Sequence, residues 1–144
     1  MQAIYIILFV SAVLIGTMSL TEKDGAEPGD ATLNFLTYRD AVMEYAENNT
    51  LVNGTIPTTS LNTLPNTWIP TSTWSNQVVG NIVYIWGQLS AEGKRELEKM
   101  TYCSQAYFYS QGFTLQAICT GATTGVAFPV SLPNKTVVSV IEVH

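Results

Sequence analysis

The 144-residue chain has room for one domain of ordinary size and little else. Its eleven acidic and six basic side chains sum to a formal charge of −5, and none of them falls within residues 1–21. An acidic domain lacks the surplus of clustered Lys and Arg that phosphate binding demands, which excludes nucleic acid as a partner. The densest basic group, Lys94, Arg95 and Lys99, is interleaved with Glu92, Glu96 and Glu98 and reads as a solvated helix face.

Residues 1–20 are uncharged and dominated by Ile, Leu, Val and Phe. As a helix such a run spans about 30 Å, the hydrocarbon thickness of a bilayer. A cleaved signal peptide, a membrane anchor and a buried core helix all compete for it. The signal-peptide reading needs a basic start and a small-residue cleavage site, and Thr17-Met18-Ser19 is a poor one. A core helix needs a polar face, and only scattered Ser and Thr are present. The expectation is therefore an uncleaved transmembrane anchor, with Ala12, Gly16 and Ser19 as a small-residue stripe for helix packing. The same stripe is also what an ordinary anchor contains. Residues 21–30 (TEKDGAEPGD) follow as an acidic linker whose flanking charges lean toward a translocated C-terminal side.

Residues 31–144 form the expected domain. Asp30 is placed as the N-cap of a helix over Ala31–Asn48, with Phe35, Tyr38, Val42 and Tyr45 at helical spacing and Asp40, Glu44 and Glu47 opposite. The Thr-, Asn- and Pro-rich stretch from Thr50 to Asn81 is expected to be an ordered loop region, with Pro57, Pro65 and Pro70 barring long strands. Asn81–Gln88 reads as a buried strand. Ser90 is expected to cap a short helix over Ala91–Thr101 that turns Leu97 and Met100 inward. Tyr102 to Cys119 is read as a hairpin turning at Gln111-Gly112. Thr120–Gly125 becomes a loop, VAFPV a short strand broken at Pro129, and Thr136–Val143 a last strand. The fold class that follows is α+β: an N-terminal transmembrane helix, then a small domain with an amphipathic helix packed on an antiparallel sheet.

Cys103 and Cys119 are the two cysteines, and they fall at the far ends of the expected hairpin. In an exported domain an even number of cysteines favours a disulfide, worth roughly 3 kcal/mol for such a loop. Two buried free thiols in a cytosolic domain are the alternative. No CxxC pattern points to zinc, and the sole histidine, His144, is a poor base for a triad. No phosphate loop, GxSxG or HExxH occurs. Asp40 and Glu44 stand four apart, but with Arg39 and Glu47 beside them they read as the wet face of a helix. The expectation is no enzyme, no metal and no cofactor. Trp68, Trp74 and Trp86, with Tyr102, Tyr107 and Tyr109, are candidates for an exposed aromatic patch that binds a partner. Such residues serve equally as core and cross-strand pairs.

The order of an apolar helix, acidic stalk, amphipathic helix and β-rich half resembles type IV pilin-like proteins in architecture, although the basic leader and processing motif of pilins are lacking. In detail the chain resembles the PilM family of thin-pilus (type IVb) systems on conjugative plasmids. The likeness lies in MQAIYIILFVSAVLIG, in NFLTYRDAVMEYAENN, and in the IPTTSL, LPNTW and NIVYIWGQLS segments. The resemblance implies a structural accessory of the pilus or conjugation machine in the bacterial inner membrane. Its domain would face the periplasm and dock other assembly proteins, as a homo-oligomer or with different partners. A minor pilin in the fibre, or a small envelope binding module, is the alternative. The resemblance carries over no catalytic residue.

Overall fold

A computed structural model describes residues 28–144. The apolar run 1–20, its Ala12, Gly16 and Ser19 stripe, and most of the acidic linker lie outside the described residues. Among the described residues no helix is long and apolar enough to cross a membrane.

Helix α1 spans Pro28–Asn48. It begins earlier than the spacing suggests, and Asp30 lies within its first turn instead of capping it. A proline is tolerated at the start of a helix, where its missing N–H has no intrahelical partner, and the Asp30 carboxylate still faces the positive end of the helix dipole. The buried stripe is Phe35, Tyr38, Val42 and the small residues Thr32, Ala41 and Ala46, which bring the helix close to the sheet. Tyr45 is only partly buried, while Asp40, Glu44 and Glu47 face solvent.

The sheet contains β1 (Trp74–Val79), β2 (Ile82–Gly87), β3 (Tyr107–Ala117), β4 (Thr123–Leu132) and β5 (Val137–Glu142). The spatial order is β1-β2-β5-β3-β4, every neighbour antiparallel. Strand β1 was not anticipated in the Thr50–Asn81 stretch. It forms because Gly80, at φ +62°, and Asn81 supply the tight turn that brings Trp74–Val79 back along β2. The outer side of β1 is covered where Gly54 and Val78 exchange hydrogen bonds of 2.8 Å, and a short 3-10 turn at Thr58–Ser60 follows. Trp74 pairs with Gly87 across the hairpin. A Cβ on Gly87 would fall 2.2 Å from the Trp74 ring, so this position has to be glycine.

Alternation along β2 and β5 serves both faces of the sheet. Val83, Ile85 and Val137 join the α1 side chains in the main core. Tyr84 and Val138 point the other way and meet Leu115 of β3 and Phe128 of β4. Phe128 makes edge-on contacts with Tyr84 and Trp86, both at 5.2 Å between ring centroids. In the strand order β4 stands three places from β2, so these contacts require the β3–β4 ribbon to curl over the second face.

That curl replaces the expected hairpin at Gln111-Gly112. The two halves of the segment do not pair with each other. Tyr107–Tyr109 pair with β5, and Gly112 onward pairs with β4 through register shifts at Gly112/Thr114 and Thr114/Gln116. A straight strand of this length would extend about 33 Å, yet Cys103 and Cys119 are bridged with their Cα atoms 5.7 Å apart. The bend accommodates both facts, and Gly112 at φ +62° permits it. The disulfide expected from the cysteine pair is therefore present, closing a curved strand and not the arms of a hairpin. Strand β4 likewise runs unbroken through Pro129. At the edge of the sheet a residue without an N–H forfeits no ladder bond.

Helix α2 (Ala91–Met100) is capped by Ser90, whose Oγ accepts from the Gly93 N–H at 3.0 Å. Thr32 ties the two helices by donating to the Gly93 carbonyl at 2.9 Å. Leu97 is buried as expected, but Met100 is 39% exposed. The helix ends there: Tyr102 N–H donates to the Lys99 carbonyl and Cys103 N–H to the Glu98 carbonyl. This is the paired bonding of a Schellman cap, and it places Tyr102 at φ +48°. The result is an α+β fold in which two helices cover one face of a curled antiparallel sheet.

Candidate interaction surfaces

The three tryptophans do not converge. Trp74 lies in the main core, tilted against Phe35 at 5.3 Å, and its Nε1 donates to Asn34 Oδ1 at 2.6 Å. Trp68 stacks on Tyr38 with centroids 5.9 Å apart. Trp86 is on the opposite face of the sheet against Phe128. Trp68 and Trp74 do share one feature: with Tyr38, Pro70 and Ser72 they line an open depression of about 430 Å³. The Trp68 Nε1 is buried without a hydrogen-bond partner, an orphaned donor of the kind that native structures seldom retain.

Beneath that depression lies a buried polar clamp that the sequence did not mark. Asn76 is 2% exposed. Its Oδ1 accepts from Ile56 N–H at 2.8 Å, and its Nδ2 donates to the Ile56 carbonyl at 2.9 Å and to the Tyr38 hydroxyl at 2.6 Å. The side chain thus behaves like a further residue of sheet, pinning the Thr50–Thr73 loop to β1 and to α1. Burial pushes the Tyr38 phenol above its ordinary value, with the Asn76 hydrogen bond pulling slightly the other way. Nothing in the local sequence separates this Asn from its many solvated neighbours, since its burial is created by strand pairing.

A second unanticipated group sits between α1 and the middle of the sheet. Arg39, expected on a wet face, has a side chain only 16% exposed. Its Nε donates to the buried Ser139 Oγ at 3.0 Å, its Cζ lies 5.2 Å from the Tyr107 ring centroid, and its Nη1 meets Asp40 at 2.6 Å. Stacking on the aromatic face and a pairing at the solvent edge stabilise a guanidinium that would otherwise be costly to cover. Tyr107 is pushed up by burial, opposed by the Arg39 charge. Nearby, Tyr109 donates to Glu98 Oε1 at 2.7 Å while Lys94 approaches its ring at 5.7 Å. Burial first, then the hydrogen bond and charge of Glu98, drive the Tyr109 phenol far upward. Lys94 is lowered by its own burial and by Lys135.

Tyr107 and Tyr109 are therefore packed against the helices. Tyr102 is the exception among the tyrosines proposed as a patch, at 92% exposed. It precedes Cys103, and the disulfide borders a second concavity of about 370 Å³ with Phe108 and Ile118 in its wall. A third concavity, of about 390 Å³, lies at the C-terminal end of α1 and is lined by Ala46, Leu51, Val52 and Val78. Asp40 is exposed and engaged with Arg39, and among the described residues no group of three His, Cys, Asp or Glu side chains is placed to hold a metal ion.

The described residues thus form a small disulfide-closed α+β domain with shallow, mostly apolar surface concavities. The chain belongs to the PilM family, whose family model, described as PilM, matches residues 4–140. The fold is similar to the crystal structure of a protein PilM from Escherichia coli B7A, with a TM-score of 0.65 at 16% identity. That similarity covers 85% of this chain and 98% of the other, and at this identity it speaks to the fold alone. No curated protein matches the chain.

Proposed function

We propose that this chain is a structural accessory of a type IVb pilus or conjugation apparatus, anchored in the bacterial inner membrane by residues 1–20. Its disulfide-closed domain would dock other assembly proteins in the periplasm. The observation that carries the reading is the span of the family match, residues 4–140, which takes in most of the apolar run together with most of the domain. The Cys103–Cys119 bridge supports an oxidising compartment, where disulfides form and persist. Docking, not catalysis, is the proposed mode of action: Asp40, Glu44 and Glu47 are solvent-exposed helix residues, and the concavities are bordered mainly by apolar and neutral polar groups.

The test is made in cells that carry the whole pilus operon. Deleting the gene should abolish pilus-dependent transfer in liquid. The full-length protein should remain with the inner membrane, become protease-accessible only after the outer membrane is opened, and cross-link to other assembly proteins. A protein recovered from the cytosol with reduced cysteines would end the periplasmic reading. Recovery of a shortened chain within sheared fibres would establish a minor pilin instead.

A further inference from the structure

Cys103 and Cys119 are both exposed, and the bridge between them forms part of the wall of the open concavity of about 370 Å³. Thiol–disulfide exchange requires that an attacking sulfur reach the bond, and exposed bridges are the ones that exchange readily. The backbone at this bridge is also held in an unfavourable form. Tyr102 and Cys103 are consecutive residues in the left-handed region, at φ +48° and +58°, which is costly for any residue with a Cβ. Two backbone hydrogen bonds to the Lys99 and Glu98 carbonyls and the bridge itself keep them there.

What the bridge pins is a two-stranded flap. From Gly112 onward β3 pairs with β4, and β4 has no other neighbour in the sheet. The base of the flap is tied where Ser110 N–H donates to the Thr136 carbonyl at 2.9 Å and Lys135 N–H to the Ser110 carbonyl at 2.8 Å. Gly112 at φ +62° and Lys135 at φ +63° turn the two strands there. At the far end Cys119 is joined to the end of α2 by the disulfide, and Ile118 beside it is buried in the main core. Between base and tip, Leu115 and Phe128 cover Tyr84, Trp86 and Val138. A two-stranded ribbon is marginal by itself in water, and this one has two register shifts. The covalent pin at its tip therefore matters to whether the flap stays down.

We infer that Cys103–Cys119 is a thiol-exchange site that latches this flap, with a protein dithiol of the Cys-x-x-Cys class as its reaction partner. The partner's thiolate bonds to Cys103 Sγ, the Cys103–Cys119 bond breaks, and Cys119 leaves as a thiolate that takes a proton from solvent. The partner's second thiol loses its proton to solvent and attacks its own sulfur in the mixed disulfide, expelling Cys103, which is protonated in turn. Two electrons pass to the chain, which gains two thiols while the partner gains one disulfide. The choice of sulfur follows from α2. Cys103 N–H donates to the Glu98 carbonyl at 3.2 Å, at the negative end of the helix dipole, where expelling a thiolate first is disfavoured. Cys119 follows a strand and is the better leaving group. The inference goes beyond the docking role proposed above and does not depend on it.

The experiment uses the full-length chain in mild detergent. Reduction by dithiothreitol, read by alkylating the released thiols, should run within about 30-fold of the rate for the urea-unfolded chain, because the native bridge is already accessible. That rate should not change with urea below the unfolding transition. Thioredoxin with its resolving cysteine replaced by serine should form a mixed disulfide, and chymotryptic mapping should place it on Cys103 with Cys119 free. After reduction, hydrogen exchange should rise about 100-fold across the flap, from Gly112 to Leu132, and far less in β1, β2 and β5. A native rate more than about 30-fold below the unfolded one would show a bridge reached only through unfolding and would overturn the inference. So would a rate that climbs with urea below the transition, no mixed disulfide or one on Cys119, or a flap whose exchange rises no more than that of the other strands.

Discussion

Replacing Asn76 by alanine should cost about 5 kcal/mol of folding stability. The substitution severs three hydrogen bonds at once and leaves the N–H and C=O of Ile56 without partners, at a residue only 2% exposed. A buried backbone group stripped of its partner costs about 1–3 kcal/mol, and the Tyr38 hydroxyl adds about 1 kcal/mol for the bond it loses. Taking the middle of these ranges gives the figure, a large fraction of the roughly 5–15 kcal/mol that holds a domain together. Tyr38→Phe removes only one of the three bonds and should cost about 1 kcal/mol. Urea unfolding followed by tryptophan fluorescence is the assay, since Trp68 stacks directly on Tyr38 and reports the same region. A double-mutant cycle between Tyr38→Phe and Asn76→Ala should show coupling, because both remove the same bond. If Asn76→Ala costs less than about 1 kcal/mol with an unchanged m-value, Asn76 does not pin the loop and the reasoning fails.

Gly87→Ala drives a methyl group into the Trp74 ring and should destabilise by about 2 kcal/mol or more, with a changed near-UV dichroism signal. Tyr102→Gly should stabilise by roughly 1 kcal/mol in the same urea assay, because the cap position at φ +48° is costly for any residue with a Cβ. Replacing Cys103 and Cys119 together by serine should lower stability by roughly 3 kcal/mol, and hydrogen exchange should rise first in β3 and β4, whose curl the bridge closes. Alkaline pH should unfold the protein through its buried phenols. Tyr38, Tyr107 and Tyr109 are all raised above the ordinary 10.0, so the folded state favours their neutral forms. Their stabilisation is complete below that ordinary value and is lost as pH rises through the folded one. The urea midpoint should accordingly fall above pH 10, and less steeply in Tyr109→Phe.

Sequence alone settled those elements whose causes are local. The stripe of Phe35, Tyr38 and Val42 repeats at helical spacing, and Ser90 meets the Gly93 N–H within one turn, so both helices were legible from neighbouring residues. The bridge was legible as one of two readings of the lone cysteine pair, and the family was recognisable from the apolar opening and the α1 segment. The Gly80-Asn81 pair between apolar stretches was also a local hairpin signal, obscured by the Thr- and Pro-rich texture before it.

Tertiary structure decided everything that depends on which distant segment lies alongside. Gln111-Gly112 looks like a turn in isolation, but pairing first with β5 and then with β4 makes it a bend in one strand. Pro129 reads as a break, and only the position of β4 at the sheet edge makes it harmless. Trp68 and Trp74 were separated from Trp86 by the alternation of strands across two faces, which no count of aromatics conveys. The burial of Asn76 and Arg39, and the placing of Leu51 beside the concavity it helps to form, follow from contacts between residues far apart in the chain. Local propensity is fixed by the neighbours along the backbone, whereas burial and pairing come into being only when the sheet closes.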